Sequence, residues 1–131
     1  MADILGTGVG FPLRVDARGG LALARHAEDV QEAIQVILGT APGERPMRPE
    51  FGCGIHDYVF ENVDPYTLGR IEQEILVALD RWEPRIDVVD VQFDLSRIDN
   101  GELLIDISYL LRPTNDLRNL VYPFYLIPAE D

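Results

Sequence analysis

The hydrophobic period of this chain changes at "RWEPRI", residues 81–86. Before it, apolar residues recur every three or four positions, which predicts an amphipathic helix. After it, apolar and polar residues alternate in two runs, Val89–Leu95 and Leu103–Leu111, which predicts strands. Pro84 disfavours the helical region for the residue before it, so we expect the helix to end at or near Trp82. A chain with both periods predicts an α+β domain.

Two main helices are predicted. The longer begins at Pro65, where Asp64 can cap it, and the shorter runs from His26 to Leu38, where Gly39 can stop it. A brief helical turn around "HDYVFEN" is expected between them. The apolar faces of the two helices consist of Ala27, Val30, Ile34, Ile37 and Leu38 in the first, and of Leu68, Ile71, Ile75, Ala78, Leu79 and Trp82 in the second.

The predicted sheet is small and largely antiparallel. The run "LALA", residues 21–24, predicts a short N-terminal strand, and Asn100-Gly101 favours a hairpin turn between the two alternating runs. The run "NLVYPFYLI", residues 119–127, predicts a third strand, and Pro123 places it at an edge because proline cannot donate to a ladder. We therefore expect one α+β domain over residues 1–131, with a hairpin, an edge strand and two helices on one face.

Composition excludes several classes of partner. A core is feasible because 47% of the 131 residues are hydrophobic. The formal charge of −12 would repel a nucleic-acid backbone. No apolar run approaches the ~20 residues of a membrane span, and the first ten residues do not resemble a secretory signal, so we expect cytoplasmic synthesis. All 11 basic residues are arginine; coding bias explains this simply, and each one is a forked donor.

The long segment "GTAPGERPMRPEFGCG", residues 39–54, contains three prolines and four glycines. Neither a helix nor a central strand can run through it. An ordered connection of this length is uncommon in a compact domain and tends to be functional.

Motifs for catalysis or metal binding are weak. Cys53 and His56 supply only two metal ligands at a usable spacing, whereas structural zinc needs four, so no metal or other cofactor is expected. A paired-acid glycosidase would use Glu83 with Asp87 or Glu50. Such an acid needs a raised pKa, and an arginine two residues away acts in the opposite direction. We therefore expect no catalytic residue.

The residues around Pro84 allow two interpretations. In an extended segment, Glu83 and Arg85 point the same way and lie roughly 7 Å apart at about 3.3 Å per residue. They could form a rigid external patch of one carboxylate and one guanidinium fork. Alternatively both serve inside the domain, with Glu83 meeting Arg81 or Arg48 and Arg85 clamping the long segment.

Three stretches together, "RWEPRI", "GTAPGERPMRPEFGCGIHDYVFEN" and "GVGFPL", resemble the baseplate wedge and sheath-initiator family of contractile phage tails. This family includes the lysozyme-like baseplate subunit of type VI secretion systems. The resemblance implies a structural protein that docks on the helical bundle of the wedge proteins and provides the platform for the first sheath ring. It favours an external contact for Glu83, Pro84 and Arg85, and less strongly for three loop residues, Glu44, Arg45 and Glu50.

The resemblance also implies further partners. The small sheet is similar to the linking domain of the sheath protein, so the predicted edge strand, with Val121 and Tyr122, is expected to face the sheath. Tube or hub proteins are additional candidates, and the ring order is expected to come from the assembly. Two alternatives remain: a peptidoglycan-cleaving, lysozyme-like enzyme, and a soluble regulator that sequesters a response-regulator adaptor.

Overall fold

The structure, a computed structural model, describes residues 17–127; the "GVGFPL" stretch lies outside them. The chain divides into two compact units, Met1–Glu32 and Ala33–Asp131. The first contributes the beginning of helix α1. The elements are α1 (Ala17–Gly39), a 3₁₀ helix (Gly54–Tyr58), α2 (Pro65–Trp82), β1 (Ile86–Asp94), a second 3₁₀ helix (Ile98–Asn100), β2 (Glu102–Leu111) and β3 (Asp116–Tyr125).

Helix α1 is longer than predicted, and the predicted N-terminal strand at residues 21–24 is wrong. The "LALA" run is part of the helix, and Leu21 and Leu23 are exposed. Leucine and alanine are strong helix formers, and the run has no β-branched residue that would favour a strand. The predicted apolar positions are all buried: Ala27, Val30, Ile34, Ile37 and Leu38.

Helix α2 confirms its predicted boundaries. The Asp64 side chain accepts a hydrogen bond from the Thr67 amide at 2.8 Å, and this bond is the main cause of the lowered pKa of Asp64. Pro65 occupies the first helical position, and the helix ends at Trp82. The buried face contains Ile71, Ile75, Ala78 and Leu79, while Leu68 and Trp82 are half-buried. No helix among residues 17–127 is both long and apolar enough to cross a membrane.

The sheet is an antiparallel meander of order β1-β2-β3. The central strand β2 follows its predicted alternation without exception, because Leu103, Ile105, Ile107, Tyr109 and Leu111 are all buried. These residues form the inner face of the sheet. The α+β fold class is therefore confirmed: the described part of the chain contains two α-helices and one small antiparallel sheet.

Strand β1 departs from the predicted alternation. Its pairing with β2 shifts register between Val88 and Asp90, and Val89 is exposed instead of facing inward. A bulge inserts one residue into a strand and so reverses the side-chain alternation that follows. Ile86 before the bulge and Val91 after it are the buried residues of β1.

The predicted hairpin and edge strand are present. Residues 95–101 join β1 to β2, so the turn is longer than a two-residue one, and Gly101 supplies its positive φ of 77°. Strand β3 pairs only with β2 among the described residues. It buries Leu120 and Phe124, while Val121 and Tyr125 are exposed.

Candidate functional site

The long segment predicted to be functional is an ordered loop, residues 40–53, with a closed neck. The Cys53 amide donates to the Thr40 carbonyl oxygen at 2.9 Å, and the Thr40 hydroxyl donates to the Val36 carbonyl oxygen at 2.6 Å. Gly52 has a φ of +129°, and a Cβ there would collide with the Thr40 carbonyl oxygen. The neck therefore depends on glycine at position 52.

Cys53 fastens the neck to α2. Its thiol donates to the Glu74 carbonyl oxygen at 3.6 Å, and the side chain is buried. Burial is the main cause that raises the pKa of Cys53 to about 11. The thiol therefore stays protonated near neutral pH and acts as a small packing group instead of a nucleophile.

Inside the loop, Glu44 has a local structural contact. Its carboxylate accepts a hydrogen bond from the Ala41 amide at 2.9 Å, and its own amide donates to the Ala41 carbonyl oxygen at 3.0 Å. The Gly43 amide donates to the Pro49 carbonyl oxygen at 2.7 Å. These bonds fold the exposed part of the loop back on itself, so that it presents a fixed surface.

An arginine–aromatic cluster joins the loop to the end of α2. Phe51 from the loop meets Trp82 edge-on, with ring centroids 5.2 Å apart. The guanidinium carbon of Arg45 lies 5.0 Å from the Phe51 centroid, and those of Arg48 and Arg81 lie 5.1 and 4.7 Å from the Trp82 centroid. Such stacking holds each guanidinium over a ring while leaving it close to water.

Glu50, another predicted site residue, supports the same junction. It forms an ion pair with Arg81, whose side chain belongs to α2. Both side chains are more than half exposed, so the pair contributes little stability and mainly fixes position. Phe51, and Trp82, which the sequence placed on the apolar face of α2, are half-buried beneath these charged side chains.

Glu83 and Arg85 contact each other directly. Glu83 is 2% exposed. Its Oε1 accepts from Arg85 Nε at 2.7 Å and its Oε2 accepts from Arg85 Nη2 at 2.8 Å. The Glu83 amide closes the last turn of α2 by donating to the Leu79 carbonyl oxygen at 2.9 Å. The two side chains lie on the same side of the chain, as predicted. The Glu83 carboxylate, however, is buried inside the domain and not exposed for the external contact that the resemblance had implied.

The charged neighbours of Glu83 differ from those considered from the sequence. Glu83 does not pair with Arg81 or Arg48, the internal partners considered from sequence; Arg81 pairs with Glu50 instead. The negative charge of Glu83 contributes to the raised pKa of Tyr109 on β2, for which burial is the larger cause. The Arg85 side chain is 41% exposed, so it is the member of the pair that reaches the surface.

The turn after β2 braces the Glu-Pro-Arg element, residues 83–85. The Arg112 amide donates to the Arg85 carbonyl oxygen at 2.8 Å, and Arg112 Nη1 donates to the Pro84 carbonyl oxygen at 3.3 Å. Arg112 also forms an ion pair with Asp87, and this contact raises the pKa of Arg112. The element is therefore rigid, as the proline suggested.

The two predicted residues of β3 lie on different faces of the sheet. Val121 is 47% exposed on the outer face. Tyr122 is half-buried, and its hydroxyl lies 3.4 Å from where a Cβ on Gly39 would be. Burial is the main cause of the raised pKa of Tyr122. Only Val121 is therefore placed to touch a partner from the outer face.

The backbone of β3 alternates in direction. The Leu126 amide, just beyond the strand, donates to Gly101 next to β2 at 2.7 Å, whereas the following Ile127 amide donates to Val59 on the other side at 2.8 Å. Because successive backbone groups in a strand point to opposite sides, the odd-numbered amides of β3 point away from β2. Pro123, which has no amide hydrogen, fits this parity.

The acids of the enzyme hypothesis are all ion-paired with arginine. Glu83 pairs with Arg85, Glu50 with Arg81, and Asp87 with Arg112. Each of the three carboxylates is therefore engaged by a different guanidinium, and no two of them share one. Among residues 17–127, no group of three or more His, Cys, Asp or Glu side chains is placed to hold a metal ion.

Comparison with known proteins gives the same family from sequence and structure. The profile of the baseplate wedge protein gp25 family matches residues 24–116. The baseplate wedge protein gp25 of Enterobacteria phage T4 is 30% identical over 97 residues, which cover 74% of this chain and 73% of that protein. This chain belongs to the gp25 baseplate wedge family. The resemblance found in the sequence is thereby confirmed.

Solved structures extend the comparison. A Geobacter sulfurreducens protein named as a tail lysozyme is 49% identical, with a TM-score of 0.73 and coverage of 89% of this chain and 97% of that one. A chain of the anti-feeding prophage baseplate is 28% identical, with a TM-score of 0.52 and coverage of 75% and 67%. A chain of the type VI secretion baseplate complex, 19% identical over 79% and 96%, shares the fold with a TM-score of 0.64.

The structure groups some predicted site residues and separates others. The loop residues Glu44, Arg45 and Glu50 and the Glu-Pro-Arg element all lie at the carboxyl end of α2 or in the loop attached there. Val121 belongs to the sheet. Sequence reasoning missed Arg48 and Arg81 as members of the site; the interleaving of arginine with Phe51 and Trp82 was the available signal.

Proposed function

We propose that this protein is a structural subunit of the baseplate of a contractile tail or injection particle, and that it docks on the wedge proteins through the carboxyl end of α2. Family membership supports the class of function. The arginine–aromatic cluster, fixed beside the rigid Glu-Pro-Arg element, is the observation that supports the docking surface. Arginine and large aromatic residues dominate the binding energy of many protein interfaces.

The roles of Glu83 and Arg85 in this proposal differ. Glu83 is an internal anchor, because its carboxylate is buried and occupied by the Arg85 fork. Arg85 supplies the exposed part of the element, and Arg45 and Arg48 add two exposed guanidiniums in the loop, where Glu44 and Glu50 are also exposed. These arginine forks would bind acidic or carbonyl-rich faces of the wedge bundle, while the overall charge of −12 disfavours other acidic surfaces.

A second surface of the proposal is the outer edge of β3, which would receive a strand from the sheath. The odd-numbered backbone groups of β3 point away from β2, and Val121 and Tyr125 are exposed. An edge strand of this kind can pair with an extended segment of another chain. Tube or hub proteins would be neighbours in the same assembly, and ring order would come from the wedge.

The loop arginines give the cleanest test of docking, because they are exposed and have no part in the buried Glu83–Arg85 pair. Wild type and the double variant Arg45→Gln and Arg48→Gln would be co-expressed with the wedge proteins of the same gene cluster and co-purified. We expect binding at least tenfold weaker and a melting temperature within a few degrees of wild type. Arg97→Gln, which changes an exposed arginine on the β1–β2 connection, is the control. Equal recovery of wild type and the double variant would place docking elsewhere.

A further inference from the structure

A second exposed cluster lies at the opposite end of α2. Tyr58 ends the first 3₁₀ helix, Phe60 follows it, and Tyr66 and Arg70 lie in the first turns of α2. Arg70 Nε donates to the Tyr58 hydroxyl at 3.1 Å, and Arg70 Nη1 donates to the Tyr66 hydroxyl at 2.9 Å. Its guanidinium carbon also lies 5.7 and 5.6 Å from the two ring centroids. We call these three joined residues, together with the exposed Phe60 two positions after Tyr58, the aromatic patch.

Among residues 17–127, no side chain or backbone segment covers the two most exposed rings of the patch. Phe60 is 65% and Tyr66 is 72% exposed, although each could contribute much more to stability if it were buried. The Arg70 hydrogen bonds hold the two tyrosines in fixed positions. Aromatic and arginine side chains that are already ordered lose little conformational entropy on binding, which is typical of interface anchors.

Gly69 gives an independent indication of a partner. It lies inside α2, is exposed, and has no atom within 4 Å of the position that a Cβ would take. Glycine inside a helix is destabilising relative to alanine, and nothing among the described residues requires it here. Gly69 is one turn from Tyr66 and adjacent to Arg70, so it forms a shallow gap in the surface of the patch. A backbone or helix of another chain can approach closely at such a gap.

Charge around the patch indicates the chemistry of that partner. Asp57, Glu61 and Asp64 are exposed around it, whereas Arg70, whose guanidinium is shared by two phenols, is the cation within it. A complementary surface would carry an apolar side chain at its centre and lysine or arginine at its rim. An acidic segment or a phosphorylated one would be repelled by the three carboxylates.

We propose that the aromatic patch and Gly69 form a second protein-docking surface, which receives a helix of a neighbouring baseplate subunit with an apolar centre and a basic rim. Tyr66 and Trp82 are 16 residues apart on α2, about 24 Å along its axis. The patch and the arginine–aromatic cluster can therefore bind different partners at the same time. The identity of the partner as a baseplate subunit rests on the proposed function.

The first experiment uses bulk at Gly69. The baseplate proteins of the same gene cluster, without this chain, would be co-expressed and purified as a complex, and labelled wild type, Gly69→Ala and Gly69→Gln would be titrated into it. Both substitutions should raise the melting temperature of the isolated protein, because alanine and glutamine favour a helix and the site has space. Affinity for the complex should fall with side-chain size, by at least tenfold for Gly69→Gln.

Variants of the patch itself test its chemistry. Phe60→Ser should weaken binding at least tenfold without a matching loss of melting temperature, while Val36→Ser, at an exposed apolar position of α1, should change neither. Glu61→Arg should also weaken binding, because it places a positive charge opposite the basic rim. Stronger binding of Glu61→Arg would show an acidic partner and overturn the proposal.

The outcomes separate this proposal from the proposed function. If wild type bound none of the baseplate proteins, both would be wrong. If wild type bound but Gly69→Gln and Phe60→Ser bound equally well, the second docking surface alone would be wrong. A photo-crosslinking amino acid at position 66 should label a helix with lysine or arginine near the adduct. Adducts confined to another copy of this chain, or to its own residues, would contradict the proposal.

Discussion

The loop at the end of α2 and the outer edge of β3 are two surfaces built on different physical principles. The loop is fixed to α2 by side chains, through stacked arginines and the Glu50–Arg81 ion pair, and its neck at Gly52 is closed by the backbone bond between Cys53 and Thr40. The edge of β3 presents mainly backbone groups, and in its second half the exposed side chains include the apolar Val121 and the aromatic Tyr125.

Because of this difference, the two surfaces should tolerate substitutions to different degrees. Side-chain contacts of the loop are specific, so single substitutions there should change stability or docking strongly. Backbone pairing at an edge depends less on side-chain identity and should fail only when an amide is removed or the strand is blocked.

The largest effect is expected at the Glu83–Arg85 pair, and it should be asymmetric. Arg85→Ala leaves the buried Glu83 carboxylate without its bidentate partner, so we expect a loss of about 3–5 kcal/mol. Glu83→Ala leaves Arg85, which is 41% exposed, in contact with water, and it should cost only about 2 kcal/mol. Chemical denaturation of both variants measures the difference.

A rescue variant tests why Arg85→Ala should lose stability. Glu83→Gln combined with Arg85→Ala removes the buried charge while keeping the volume of the side chain, so the double variant should be more stable than Arg85→Ala alone. If the double variant is less stable than Arg85→Ala, an unpaired buried charge is not the reason for the loss. Because of this stability cost, neither alanine variant by itself can measure docking.

The loop neck should give the next largest effect, through a pair of glycines. Gly52 and Gly43 both have positive φ, 129° and 91°, but only Gly52 has backbone atoms in the way of a Cβ. Gly43→Ala should cost about 1–2 kcal/mol from backbone strain alone. Gly52→Ala should cost on the order of 3 kcal/mol, because the collision with Thr40 must also be relieved.

The reactivity of the Cys53 thiol shows whether a substitution opens the loop neck. Cys53 is buried and its pKa is raised to about 11, so alkylation by iodoacetamide at pH 8 should be slow in wild type and in Gly43→Ala. Gly52→Ala should react much faster, since an open neck exposes Cys53. Equal alkylation rates in the two glycine variants would mean that the neck tolerates a Cβ at position 52.

Local patterns explain which parts of the fold were predictable from the sequence. Helix α2 has its cap, its proline and its apolar stripe within one segment, and β2 has a strict alternation, so both were predicted closely. The "LALA" run failed because a short apolar run does not by itself distinguish helix from strand. The bulge at Val89 was not predictable, because it is a property of the pairing between β1 and β2.

The sequence indicated where the candidate site lies along the chain, but not which of its side chains are buried or stacked. The spacing of Glu83 and Arg85 around Pro84 indicated that the two side chains lie on one side. Burial of Glu83 is a property of the packed domain, and Tyr109, whose pKa the Glu83 charge helps to raise, is distant from it in sequence. The stacking of Arg48 and Arg81 on Trp82 likewise requires the loop to return to α2, which no local pattern shows.

The smallest effect on stability is expected at the edge of β3, with Val121→Pro. The Val121 amide has the same parity as Pro123 and points away from β2, so proline should remove no hydrogen bond of the sheet. We expect a cost below about 1 kcal/mol and a circular dichroism spectrum like that of wild type. Tyr122→Pro is the matched control: its amide points towards β2, so it should cost roughly 3 kcal/mol or more.

If the edge receives a sheath strand, baseplates with folded Val121→Pro should start sheath polymerisation poorly, because one amide is lost and the added ring obstructs pairing. Normal sheath growth on such baseplates would assign sheath docking to another surface and leave the loop as the more sensitive of the two.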